Sequence, residues 1–450
     1  MNNPILRTLD NSFLNFLKHR VNGGMLLMIV AVLAMVIANS PWAEAYHHFW
    51  SHSVSLQIGS FNLFSHHGEP LTLMAFINDA LMAVFFFSVG LEIKREILVG
   101  ELSSLRQALL PIIAAIGGML VPVLIFFVMT SGTPASDGLA IPMATDIAFS
   151  LGVLSLFGRR VPLSLKIFLT AFAVVDDIGG ILIIAFCYTS HLSIGYLLAA
   201  IGVLVMLIIA NKMSVMSRTF YCLSGVVLWY FFLQSGIHST IAGVLVAFTI
   251  PAIPCLEVKK YIRHIRETIN SFPPFEKSSI LLLPHQIDVL KSIESASDRV
   301  ISPLQFMEDR MHGVVNYVIM PLFAFANAGI TLSGTGGNEV VGEVTLAVIL
   351  GLVLGKFIGI YLFTFLAVRS RVTSLPKGMN WKNIAGVSLL GGIGFTVSLF
   401  IANLSFGATD EVLLNQAKLG VLIGTVLAGV LGFVVLKIVL PHDHPREVEA

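Results

Sequence analysis

Residues 167–188 read IFLTAFAVVDDIGGILIIAFCY, a membrane-length apolar run whose only formal charges are Asp176 and Asp177. The pair falls near the centre of the run, which places it near a bilayer midplane. A charge there costs roughly 2.5 kcal/mol or more unless it is solvated, paired or neutralised, so intramembrane carboxylates read as functional. Two adjacent ones point to a protein that moves cations or protons.

The rest of the chain repeats the pattern. Of 450 residues, 56% are hydrophobic and 12% are charged. Apolar runs of about 20 residues alternate with short polar stretches, the mark of a polytopic helical membrane protein. A net charge of +1 argues against nucleic acid as a partner. Cys187, Cys222 and Cys255 have no metal, redox or disulfide spacing. Nothing in the chain resembles a soluble catalytic domain.

Twelve spans are expected, at about 24–42, 72–91, 108–129, 139–157, 164–188, 193–211, 219–234, 237–254, 313–330, 344–368, 384–403 and 412–438. With these limits, all of the 27 lysines and arginines except Lys356 and Lys418 fall on one side. The positive-inside rule makes that side cytoplasmic and puts both termini there. The implied organisation is a cytoplasmic N-terminus (1–23), eight spans (24–254), a cytoplasmic loop (255–312), four spans (313–438) and a cytoplasmic tail (439–450). The basic residues before the first run and Ala43-Glu44-Ala45 also suit a cleaved signal peptide. An uncleaved first helix is the expected reading, because many spans follow. The loop 255–312 contains Pro273-Pro274 and an amphipathic stretch near Ile287 to Ile293. The outer segment 46–71 carries His47, His48, His52, His66 and His67, which suits a polar hairpin better than a metal site.

Two spans look broken. Span four reads Ala140-Ile141-Pro142-Met143-Ala144-Thr145-Asp146, and proline removes an amide donor from a helix. Span eleven reads Gly391-Gly392-Ile393-Gly394-Phe395-Thr396. Freed backbone groups are tolerated at membrane depth only beside protein or a water-filled cavity. Spans four and eleven are an odd number of crossings apart, so spans three to five and ten to twelve suit an inverted-topology repeat. Crossed half-helices bring like dipole ends together. Asp146 and Lys356 have signs that suit those ends. Gly351, Gly355 and Gly359 give the Lys356 helix a face for close backbone approach.

At this point the chain resembles a known family, the NhaA-type Na+/H+ antiporters of bacteria. The resemblance runs from about Gly24 to Leu436 and rests on five stretches. They are Val89-Gly90-Leu91-Glu92-Ile93-Lys94-Arg95-Glu96, Ala144-Thr145-Asp146-Ile147-Ala148-Phe149, Val175-Asp176-Asp177, the run Pro321 to Gly329 and Gly391 to Thr396. It implies an all-α fold of about twelve spans with inverted repeats and two discontinuous helices crossing at the midplane, which is not independent of the repeat read above. It also implies electrogenic, pH-regulated exchange of cytoplasmic Na+ or Li+ for external H+, in sodium and pH homeostasis. The expected setting is a homodimer in the bacterial inner membrane, with no cofactor. Asp177 matches the principal Na+ and proton carboxylate, and Asp176 its neighbour, paired with Lys356. Thr145 and Asp146 match the unwound part of span four, so Asp177 and Thr145 are expected to hold Na+. Glu92, Arg95, Glu96, His238 and Glu308 match positions linked to pH response at the cytoplasmic mouth or adjoining helices. Asp79 and His312 are secondary candidates. Three features depart from the family pattern: a longer loop before span nine, Gln305 and Phe306 where basic residues are expected, and a longer outer segment 46–71.

Successive helical residues point about 100° apart, so Asp176 and Asp177 cannot present identically to one ion. The residues alone do not choose which binds the ion; the resemblance assigns it to Asp177. A carboxylate out of water holds a proton or Na+ but hardly both, and that competition suffices for antiport. Carboxylate, hydroxyl and carbonyl oxygens suit a hard cation. A second carboxylate or Lys356 is then a candidate for a further proton. Rival classes are another monovalent-cation/H+ exchanger, a symporter, a channel and an intramembrane aspartyl protease. The protease needs two carboxylates converging on one peptide bond; this pair diverges on one helix, and the glycine-x-glycine-aspartate motif is absent.

Overall fold

With no water to satisfy backbone amides, apolar runs at membrane depth must be helical. The computed structural model describes residues 23–440, apart from 59–60, 63, 67–68, 189–191, 254–257, 271–283, 332–340 and 408–409. Most of the expected terminal segments, with Pro273-Pro274, Cys255 and His67, lie outside the described residues.

The chain opens with α1 (Gly23–Ala38) and α2 (Ala43–Ser51). A straight first span through residue 42 is not what forms: α2 turns 110° away from α1. Pro41 disfavours helix in the residue before it, and the Asn39 amide closes the end of α1 by donating to Met35 O at 2.8 Å. The outer segment then forms short strands β1 (Ser53–Val54), β2 (Gln57–Ile58), β3 (Phe61–Asn62), β4 (Ser65–His66) and β5 (Glu69–Thr72). β5 lies antiparallel between β1 and β4, and β2 pairs with β3. His48 and His52 pack edge to face, with ring centres 4.7 Å apart. Among the described residues no group of His, Cys, Asp and Glu converges on a metal.

The bundle follows: α3 (Leu73–Val99), α4 (Leu105–Thr130), α5 (Ile147–Ser155), α6 (Leu163–Cys187), α7 (Ile194–Lys212), α8 (Arg218–Ser235) and α9 (Thr240–Thr249). Two helices of the long loop come next, α10 (Val258–Asn270) and α11 (Pro284–Val300). The second half contains α12 (Pro303–Val314), α13 (Met320–Asn327), α14 (Glu343–Arg369), α15 (Trp381–Leu390), α16 (Phe395–Phe406) and α17 (Glu411–Val439). Among the described residues, six helices are long and apolar enough to cross a membrane, and up to nine spans result if each bent pair counts as one. The molecule is thus an all-α polytopic membrane protein. α3 runs on past Gly90 through Val99 and stops at Gly100, which takes an extended conformation. Lys94, Arg95 and Glu96 therefore ride its last turns, where a connection was expected.

The glycine face of α14 is used for contact. A Cβ on Gly359 would lie 2.1 Å from Gly117 O of α4, one on Gly355 2.7 Å from Pro122 Cα and one on Gly351 2.6 Å from Pro142 Cβ. Only hydrogen fits there, so α4 and α14 meet backbone to backbone. A π-turn at Gly351–Gly355 ends at Lys356. Such turns often mark functional sites.

Candidate functional site

Two broken spans build the centre. In the first, a short 3-10 turn (Ile141–Met143) leads through Ala144 and Thr145 to α5, bent by 43°. In the second, α15 and α16 meet at 44° across Gly391–Gly394. Asp146 is the N-cap of α5, accepting from Phe149 N at 3.0 Å. Its other oxygen accepts from Thr396 Oγ1 at 2.7 Å and Thr396 N at 3.3 Å, at the start of α16. One carboxylate thus closes the N-termini of two half-helices, where partial positive charge accumulates.

The opposite ends are closed differently from the expectation. Lys356 does not serve them. Thr145 Oγ1 donates to Gly391 O at 2.7 Å, Ser150 Oγ to Leu390 O at 2.9 Å and Ser398 Oγ to Ile141 O at 2.8 Å. Asp146 N donates to Ile393 O at 2.6 Å. Hydroxyls carry no net charge into the apolar interior, so they satisfy carbonyls at a lower desolvation cost than an ammonium.

The lysine is committed elsewhere. Lys356 Nζ donates to Asp176 Oδ2 at 2.6 Å, and both side chains are fully buried. The Phe172 ring lies 5.5 Å from the same ammonium. Its neighbour Asp177 makes no ion pair among the described residues. It lines a cavity of about 130 Å³ together with Glu92, Thr145, Asp146, His312 and Thr396. The cavity opens among the last turns of α3 and the α12 segment, on the side rich in lysine and arginine. There Arg95 bridges Glu96 at 2.8 Å and Glu308 at 2.6 Å. His312 contacts Asn316 at 3.1 Å. Burial outweighs the opposing Arg95 charge and holds the Glu308 carboxyl above the ordinary glutamate value.

On the far side of the broken helices lies a second cavity of about 650 Å³, lined by Asn78, Asp79, Tyr188, His238, Asn403 and Lys418. His238 lines this cavity and not the one that holds Glu92. The left-handed Gly236 turns the chain between α8 and α9 at this end, and the His238 ring stands edge-on to Phe400 at 5.5 Å. Asp79 accepts from Ser239 Oγ at 3.3 Å. Between the cavities Phe86 and Phe323 flank Phe400, with ring centres 5.7 and 6.5 Å away, all three buried. Asn403 donates to Asn327, and Asn327 to Asn78, each at 2.8 Å.

Sequence reasoning missed Thr396, Ser150 and Ser398. Thr396 sits in the quoted glycine stretch, so its place beside a break was the available signal. The two serines are unmarked within apolar runs.

This arrangement suits a small cation: oxygen ligands in a narrow cavity, one carboxylate without a cation and its neighbour already neutralised. Comparison with known proteins agrees. The model of the family described as Na+/H+ antiporter 1 matches residues 14–436. A Na+/H+ antiporter NhaA of Phocaeicola vulgatus is 65% identical, covering 98% of each chain. One from Bacteroides thetaiotaomicron is 61% identical over 97% of this chain and 98% of its own, and one from Porphyromonas gingivalis is 49% identical over 94% and 95%. The chain belongs to the Na+/H+ antiporter 1 family.

Proposed function

We propose that the protein is a secondary transporter, not an enzyme, and that it exchanges cytoplasmic Na+ or Li+ for external H+. In this reading it crosses a bacterial inner membrane twelve times, with both termini cytoplasmic and inverted repeats around the two breaks, and works as a homodimer. The observation that carries it is the inequality of the two aspartates. Asp176 is held by Lys356, while Asp177 faces the narrow cavity with Thr145 and Asp146.

The exchange follows from competition at Asp177. Na+ entering from the cytoplasmic cavity takes the carboxylate, and the proton leaves. Thr145 Oγ1 keeps lone pairs for the ion while its hydrogen is given to Gly391 O. Thr396 and Asp146 hold the half-helix ends in register around it. With the aromatic partition moved, Na+ leaves through the wider cavity and a proton replaces it. A second proton, carried by Lys356 or another carboxylate, makes the cycle electrogenic. Glu92, Arg95, Glu96, Glu308 and His312 surround the cytoplasmic entry and set its response to pH; His238 and Asp79 act from the outer side.

The test is Asp177→Asn in proteoliposomes under an imposed pH gradient. Loss of Na+-driven proton movement is expected; wild-type exchange would overturn the assignment. A pH gradient that drives Na+ uptake in everted vesicles separates an antiporter from a channel.

A further inference from the structure

The long excursion between α9 and α12 takes no part in the site. It leaves and returns at one corner, where Leu304 N donates to Pro251 O at 3.2 Å. Lys94 Nζ fastens the same corner by donating to Phe248 O at 2.7 Å and Ile250 O at 2.5 Å. The corner adjoins the Arg95–Glu308 cluster, at the end of the bundle that faces the basic side. Only residues 250–257 separate α9 from α10, so α10 starts at most about 30 Å from the end of α9.

α10 reads VKKYIRHIRETIN. Tyr261, Ile262, Ile265 and Ile269 recur at three- and four-residue spacing and share one face. Lys259, Arg263 and Arg266 are exposed and lie off that face, with one acid, Glu267, among them. α10 packs against α11, yet Ile262 remains 52% and Ile269 58% exposed. α11 adds Ile287 and Leu290, also exposed. Clustered exposed isoleucines are costly in water and mark an interaction surface. The excursion is tied to the edge of a membrane protein, so an acyl boundary is within reach. Basic residues beside an apolar stripe suit the anionic headgroups there.

We propose that α10 is an interfacial helix that lies on the leaflet next to the Arg95–Glu308 corner. Ile262 and Ile269 enter the acyl boundary, and Lys259, Arg263 and Arg266 meet the phosphates of anionic lipids. The partner is the bilayer itself.

Full-length protein tests this, with Cys187, Cys222 and Cys255 replaced by serine and spin labels placed singly through Ile262→Cys, Ile269→Cys and Glu267→Cys. The protein is reconstituted in phosphatidylcholine alone and in phosphatidylcholine mixed with phosphatidylglycerol. In the mixed vesicles, labels at 262 and 269 should be accessible to oxygen and shielded from an aqueous nickel chelate; the label at 267 should show the reverse. Adding Lys259→Gln, Arg263→Gln and Arg266→Gln should cut the embedded fraction at 262 about tenfold, while exchange in phosphatidylcholine certifies the fold. Labels at 262 and 269 open to the chelate in mixed vesicles would overturn the proposal. So would shielding from both probes, as under a protein partner or a second copy, or identical insertion with and without phosphatidylglycerol. Because the readout is depth and not transport, this outcome is separate from that of Asp177→Asn.

Discussion

The two cavities on either side of the broken helices are built to different rules. The one beneath them is about 130 Å³ and is lined by Glu92, Asp146 and Asp177. The one above them is about 650 Å³ and sets Lys418 against Asp79. A narrow acid-lined space concentrates cations, whereas a wide one with balanced charge lets them go. The difference teaches that the molecule builds its two faces unequally in this state, with Phe86, Phe323 and Phe400 packed between them as a partition.

The sharpest way to break this comparison is to remove the selecting carboxylate. Asp177→Asn should lower exchange by about 100-fold or more in proteoliposomes, because the proposed exchange runs through this one intramembrane carboxylate. Next in size is the partition. Phe400→Ala should open a passive Na+ leak, measured without a pH gradient, and lower stability by about 3–5 kcal/mol. A tight membrane in that variant would mean that the partition lies elsewhere.

The buried pair separates charge from function. Lys356→Ala leaves Asp176 buried without its cation and should cost about 3–5 kcal/mol in a thermal melt. Asp176→Asn combined with Lys356→Gln should recover much of that and keep some exchange. A well-folded but inert double variant would make the pair an obligatory proton carrier.

Two smaller effects sharpen the contrast. Lys418→Met removes the cation from the upper cavity, so the apparent KM for external Na+ should fall about three- to tenfold while the cytoplasmic KM stays fixed. An equal change on both sides would deny the separation. At the lower mouth, Glu308 lies above the usual glutamate value because burial outweighs Arg95. As pH falls it therefore takes a proton earlier than a solvated glutamate and loosens its hold on Arg95, which keeps Glu96. Glu308→Gln imitates that acid form at every pH, so exchange at neutral pH should resemble wild-type exchange at acid pH and the part of the pH profile due to this group should flatten. An unmoved profile would leave the pair a structural role only.

Much of this was legible in the sequence because it has a local signature. Apolar runs, two carboxylates within one of them, a proline and three glycines at the breaks, and glycines at four-residue spacing are all readable in a short window. The closure of the breaks was not. Thr145, Ser150 and Ser398 meet partners 246, 240 and 257 residues away, and a hydroxyl in an apolar run has no periodicity to betray it. Signs of charge suggested Lys356 for the helix ends, but a nearer carboxylate claims it. The extension of α3 through Val99 was missed because charged residues read as a connection, although long side chains on a helix end reach water without ending it. The turn that sends α2 away from α1 was written in Pro41 but overridden by hydropathy.

The hydrogen bond from Leu304 to Pro251 has a consequence for how this architecture can diversify. A segment pinned at its base presents the same two attachment points to the bundle whatever lies between them. Doubling its length adds only about 0.6 kcal/mol of closure entropy. The excursion is therefore a place where a lineage can gain or lose whole helices, or an experimenter can graft a reporter domain, with the ion path left in register.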